Sequence, residues 1–200
     1  MVPLHRAARM TLELCSRLTP ENDLTTLHSF DQNDGSDPFG KLVQGTDGNY
    51  YGTTSQGSTN VGTIFQITQD GILTTLHDFE GTDGTDPRGG LVQATNGKFY
   101  GTTFQGGDGN SGTIFSLDMG LGPFVTFVRA FGKVGQTGPI LGQGFTGTTS
   151  VMLNGVPADF TVVSDTYIKA TVPPGATTGY VTVTTPTGVL TSNVPFHVIR

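Results

Sequence analysis

The chain is poor in charge: Asp, Glu, Lys and Arg make up 13% of its 200 residues, against roughly 25% in an average domain. It has one cysteine, Cys15, so no intrachain disulfide can form. No apolar run approaches the roughly 20 residues of a membrane-spanning helix, which predicts no membrane span. Clusters of Lys and Arg are missing too, and this argues against nucleic acid, whose binding needs cations to displace counterions. The N-terminal MVPLHRAARMTLELC is basic but lacks an apolar h-region, so the sequence predicts no signal peptide. A G-x-S-x-G elbow, a zinc-ligand cluster and a phosphate loop are all missing. The expected number of catalytic residues is therefore none.

Glycine and threonine are abundant, with 30 glycines in the chain. Thr favours strands and Gly the turns between them, so the composition reads as all-β with many tight turns. Charge is unevenly placed. Residues 1–118 hold 14 of the 16 acidic and 6 of the 10 basic residues, and residues 119–200 hold the remaining 2 and 4. That asymmetry predicts two modules.

The first module is built on a repeat. LHSF, DQNDGSDP, KLVQGTDGNYYGTTSQG and GTIF return as LHDF, EGTDGTDP, GLVQATNGKFYGTTFQG and GTIF. Leu27 maps to Leu76, Asp34 to Asp83, Pro38 to Pro87 and Tyr51 to Tyr100, each 49 positions on. Gly62 maps to Gly112, 50 positions on, so one residue is inserted near Asp108 and Asn110. A period near fifty marks propeller blades and related arrays.

One unit is expected to form four strands over residues 41–44, 49–54, 63–68 and 72–79. Turns at Thr46-Asp47-Gly48 and Gln69-Asp70-Gly71 join them in hairpins, because Gly accepts the positive φ such turns need. The second unit repeats this with Asn96-Gly97 and stops after its third strand, expected at 113–117. Before the first unit, residues 14–30 align with 63–79, so the array starts part-way through a unit. Residues 6–14 admit a short amphipathic helix. Half a unit, one whole unit and three-quarters of another do not close a propeller, which needs typically 4–8 blades. Three outcomes stay open: a fragment of a longer array, assembly with further copies of the chain, or an open sheet. Open strand edges also predict self-association.

From Pro123 the texture changes. Ile168-Ala170-Val172, Val181-Val183 and Val194-Phe196-Val198 alternate with polar residues, and turns fall at Asn154-Gly155, Pro173-Pro174-Gly175 and Pro186-Thr187-Gly188. About seven strands with regular turns predict a small sandwich of immunoglobulin type. The repeat phrases, over residues 14–117, resemble the Gloeobacter–Verrucomicrobia (GloVer) tandem repeats. PILGQGF, TSVMLNGVPADFTVVSDTYIKATVPPGATTGYVTVTTPTG and TSNVPFHV resemble an IPT/TIG domain over 123–200, with a linker at 118–122 and residues 1–13 unassigned. The resemblance implies an exported bacterial surface protein and a non-catalytic immunoglobulin-like C-terminal module.

Asp31, Asp34 and Asp37 recur as Glu80, Asp83 and Asp86, three carboxylates within seven residues. Oxygen-rich loops of that kind hold calcium, but Asp-Gln-Asn-Asp-Gly misses the calcium-loop spacing by one residue. Turn chemistry is the preferred reading of these six, with calcium as the alternative and no other cofactor expected. His28 and His77 read as strand histidines with satisfied rings. Gly142, Gly144 and Gly147 match G-x-G-x-x-G, yet strand-like residues follow where a dinucleotide site needs a helix. Tyr50, Tyr51, Phe99, Tyr100 and Phe104 offer a sugar platform or, preferably, packing between neighbouring sheets. The expected function is a non-enzymatic surface or extracellular module that contacts proteins or glycans. Alternatives are an accessory module of an exported polysaccharide-processing enzyme, or a truncated product with no function of its own.

Overall fold

A computed structural model describes residues 14–18, 24–57 and 61–199. Among them are strands, turns and irregular segments but no helix. They group into two compact units. One comprises the residues up to Gln93 with Phe99–Leu117, the other Ala94–Lys98 with the residues from Asp118 onward.

The first unit holds three antiparallel sheets in sequence order. β1 (Leu14–Leu18) and β2 (Leu24–Ser29) form a pair. β3 (Val43–Gln44), β4 (Tyr50–Thr54), β5 (Thr63–Ile67) and β6 (Leu73–Asp78) form a four-stranded meander. β7 (Val92–Gln93), β8 (Phe99–Thr102) and β9 (Ile114–Leu117) form a three-stranded one. The half, whole and three-quarter units of the sequence are all present, and no closed ring forms among the described residues. Of the expected helix at 6–14, residues 6–13 lie outside the described residues and Leu14 opens β1.

Local chemistry sets the hairpins. Between β5 and β6, Thr68 N–H donates to Ile72 O at 3.0 Å and Gly71 N–H to Thr68 O at 3.0 Å, with Gly71 at φ 85°. A side chain at that φ would be strained, so Gly fixes the turn. β1–β2 and β5–β6 share one irregularity: the register shifts between Cys15 and Ser16, and at the matching place between Ile64 and Phe65.

Aromatic rings join successive sheets. Phe30 meets Phe65 edge-on with centroids 5.2 Å apart, and Phe79 meets Phe115 in the same way at 5.2 Å. Tyr51 lies 4.2 Å from Phe99, and both are fully buried. Thr53 Oγ1 donates to Gly89 O at 3.1 Å across the same boundary. The repeat period thus fixes the sheet and also what the sheet packs against.

The second unit is a sandwich. One sheet runs β10 (Thr126–Phe127), β12 (Thr137–Leu141), β16 (Tyr167–Thr171), β15 (Phe160–Ser164). The other runs β14 (Val156–Pro157), β13 (Ser150–Leu153), β17 (Val181–Thr185), β18 (Gly188–Thr191). β11 (Phe131–Lys133) and β19 (His197–Ile199) form a separate parallel pair. Ten strands replace the seven or so expected, because several are only two or three residues long and carry no period. The core comprises Val125, Ile140, Phe145, Val151, Leu153, Ile168, Val172, Val181, Val183 and Leu190. In β17 Val181 and Val183 alternate inward with Thr182 and Thr184 between them, the half-buried pattern expected of a sandwich strand. Asn154 and Gly155 take φ 47° and 82° at the β13–β14 hairpin, the two left-handed residues that a tight two-residue turn requires.

Candidate functional site

The recurring acidic loops are the strongest candidate. Each leaves a fourth strand, folds back and enters the next sheet. In the first, Asp31 N–H donates to Asp34 Oδ1 at 3.0 Å, while Asn33 N–H donates to Asp31 Oδ1 at 3.0 Å. Asp34 Oδ2 lies 2.6 Å from His28 Nε2. In the second, Glu80 N–H donates to Asp83 Oδ1 at 2.9 Å and Asp83 Oδ2 lies 2.6 Å from His77 Nε2. One carboxylate therefore ties the end of the strand to the loop in each unit. The histidine rings are further seated by edge contacts to Phe30 and Phe79, with centroids at 5.0 and 5.2 Å.

The loop then docks through its backbone. Ser36 N–H donates to Gln56 O at 2.8 Å and Ser55 N–H to Asp37 O at 3.1 Å. The second copy matches: Thr85 N–H donates to Gln105 O at 2.8 Å and Phe104 N–H to Asp86 O at 3.1 Å. Asp37 and Asp86 take φ 57° and 56°, left-handed values that Asp tolerates better than most residues. Gly35 and Gly84 lie at φ 131° and 137°. A Cβ on either would come 2.6 Å from the Oγ1 of Thr54 or Thr103. Glycine is required there on both counts.

Electrostatics follow the same geometry. Burial works to raise the Asp83 carboxyl, but the Glu80 N–H and the His77 bond and charge outweigh it, so it sits below its ordinary value. Asp31 is also lowered, chiefly by the Asn33 backbone N–H. Asp86 Oδ2 instead pairs with Arg88 Nη2 at 2.6 Å.

Among the described residues no group of three or more His, Cys, Asp or Glu side chains forms that could hold a metal ion. Asp31 and Asp34, and likewise Glu80 and Asp83, meet through loop hydrogen bonds, while Asp37 and Asp86 act in the loop through their backbone carbonyls. What sequence reasoning missed is the partner of each histidine. The partner is not a neighbour in the strand but stands six residues on, in the loop. The signal was present: His28 with Asp34 and His77 with Asp83 recur together at one spacing.

The other motifs fall elsewhere. Tyr51 and Phe99 pack between sheets. Tyr51 donates to Asp47 Oδ2 at 2.9 Å, and burial and that carboxylate push its hydroxyl up to about 12. Phe104 is exposed under the Arg88 guanidinium, 4.4 Å from its ring centroid. At the Gly142–Gly147 motif the backbone N–H groups of Gly144 and Thr146 donate to Asp165 at 3.2 and 3.1 Å. The motif is thus closed on the protein's own carboxylate.

Among curated proteins no match is found. Among solved structures the chain is similar to a novel fungal alcohol oxidase with catalytic diversity among the AA5 family, in complex with copper. The identity is 16% and the TM-score 0.34, over 89% of this chain and 45% of that one. Similarity at that level carries no argument. Two family models do match: the IPT/TIG domain over residues 123–198, and the Gloeobacter/Verrucomicrobia repeat over residues 15–159. The repeat match continues past Leu117 into residues that the fold places in the sandwich. With this share of the chain matched and the repeated sheets and loops in place, the protein belongs to the Gloeobacter/Verrucomicrobia repeat family and carries a C-terminal IPT/TIG domain.

Proposed function

We propose that this β-rich interaction module works without catalysis at the bacterial surface or outside the cell, by displaying its repeated loops to a protein or glycan partner. The supporting observation is the use made of Asp34 and Asp83. Each spends one oxygen on a histidine and the other on a backbone N–H, so the recurring carboxylates hold loop shape. Beside them Asp31 and Glu80 stay exposed and lie one unit apart, two equivalent contact points on one array. Linked equivalent sites raise overall affinity beyond that of either alone. The IPT/TIG membership supports a protein-contact role, and both families are often extracellular.

The test combines glycan-array and surface-protein binding with a polysaccharide hydrolysis assay. Binding is expected, weakened by Asp31→Ala and Glu80→Ala together more than by either substitution. Hydrolysis that disappears in Asp34→Asn or Asp83→Asn would overturn the proposal.

A further inference from the structure

The two unfinished sheets of the array are complementary. β2 reads LTTLHS and β6 reads LTTLHD, the same fourth strand but for the last residue. Their third-strand partners differ sharply. β5 is Thr63-Ile64-Phe65-Gln66-Ile67, and β1, with Leu14-Cys15-Ser16-Arg17-Leu18 in the same register, shares none of the five. At the far end, Thr113-Ile114-Phe115-Ser116-Leu117 keeps the Thr-Ile-Phe of β5, but β9 pairs with β8 alone among the described residues. One end therefore has a faithful fourth strand on a divergent third, and the other a faithful third strand with no fourth.

Burial shows what the missing strand and the missing next sheet leave open. Ile64 is 3% exposed and its counterpart Ile114 is 84% exposed. Tyr51 is 0% exposed and its counterpart Tyr100 is 37% exposed. The edge of β9 is a pairing template of the kind that natural sheets cover or block.

We propose that β9 of one copy of this chain takes the place of β1 on β2 of a second copy, completing a four-stranded sheet from two chains. The register is that of β5 on β6: Ile114 opposite His28, Phe115 opposite Thr26, Ser116 opposite Thr25 and Leu117 opposite Leu24. β2 keeps its seat, since Phe30 just beyond it stays edge-on to Phe65 of its own chain. The incoming sheet brings Tyr100 toward Tyr50 of the second copy, as Tyr51 meets Phe99 within one chain. The contact is head-to-tail, a type that generates rings when the rotation closes. Each chain then contributes one complete sheet and one shared sheet. Propellers hold typically 4–8 blades, so the ring contains two, three or four chains. The inference concerns assembly and does not depend on the ligand proposed above.

Native mass spectrometry and light scattering on the full chain test it first. A single species of two, three or four 21.0 kDa chains is expected; a monomer at the highest soluble concentration overturns the proposal. Ile114→Asp is the first variant, because the position is exposed in the single chain and tolerates a carboxylate there, but not against a second copy. It is expected to be monomeric, with the circular dichroism and melting of the sandwich unchanged. An oligomer that survives it associates through another surface, which also overturns the proposal. A second variant replaces Leu24 and Leu117 with Cys in a Cys15→Ser background. Directly opposed residues place their Cα atoms about 4.5–5.5 Å apart, within disulfide reach. Mild oxidation is expected to give covalent two-, three- or four-chain species on a denaturing gel, and monomer bands alone refute the register.

Discussion

Gly84 shows how much of the loop rests on single residues. Its φ of 137° and the 2.6 Å approach of a built Cβ to Thr103 Oγ1 both forbid a side chain. Gly84→Ala is expected to cost about 1–3 kcal/mol, read as a lower denaturant midpoint with an unchanged slope. Asp83 makes a pH prediction. Its folded carboxyl is lowered, so its stabilisation is present above the unfolded value of about 3.9 and is lost as pH falls through the lower folded value. Asp83→Asn should flatten the acid limb of the stability profile and cost about 1 kcal/mol at neutral pH, since the pair is partly solvated and screened. Tyr51 acts at the opposite limb: a hydroxyl raised to about 12 stabilises fully below the unfolded value of about 10 and loses that contribution as pH rises through the folded one. Tyr51→Phe should remove alkaline sensitivity between those values. Legibility at this scale was uneven. Turn glycines such as Gly71 announce themselves by sequence, because only glycine suits their φ. The His28–Asp34 bond announces itself only as a pair that recurs with His77 and Asp83 at one spacing; the path of the loop between, with left-handed Gln32 and Asp37, is not legible.

At the scale of elements, the fourfold strand pattern of a unit was readable because hairpin signals bracket each strand. Observed limits, such as Thr63–Ile67 for an expected 63–68, differ by a residue or two. The short strands of the sandwich were not readable: Val156–Pro157 and Thr126–Phe127 are too brief to show alternation. Their pairing is imposed by neighbours across the sheet. Packing between repeats is where element stability concentrates. Phe65 is buried against Phe30, and Phe65→Ala is expected to destabilise the array by about 3–5 kcal/mol, measured by chemical denaturation followed through the array's tyrosines. The sandwich, with its core residues all from position 125 onward, should keep its own transition in that variant.

For the whole molecule, the repeat period and the change of texture at Pro123 carried the architecture from sequence. Direction of pairing at the end of the chain was not legible, because three residues, His197–Ile199, cannot reveal whether they run with or against Phe131–Lys133. They run with them, and Val125 bridges Ser192 in the same sense. The first and last segments of the sandwich therefore lie side by side, pointing the same way. A pull on the two ends of this domain loads that seam in shear, so its hydrogen bonds must give way together instead of unzipping rung by rung. Single-molecule stretching should show the IPT/TIG domain yielding in one sharp event, weakened when His197→Pro removes the N–H that donates to Ala130 O at 2.8 Å across the seam. Traction on the domain thus meets a joint loaded in shear, whatever lies at its two ends.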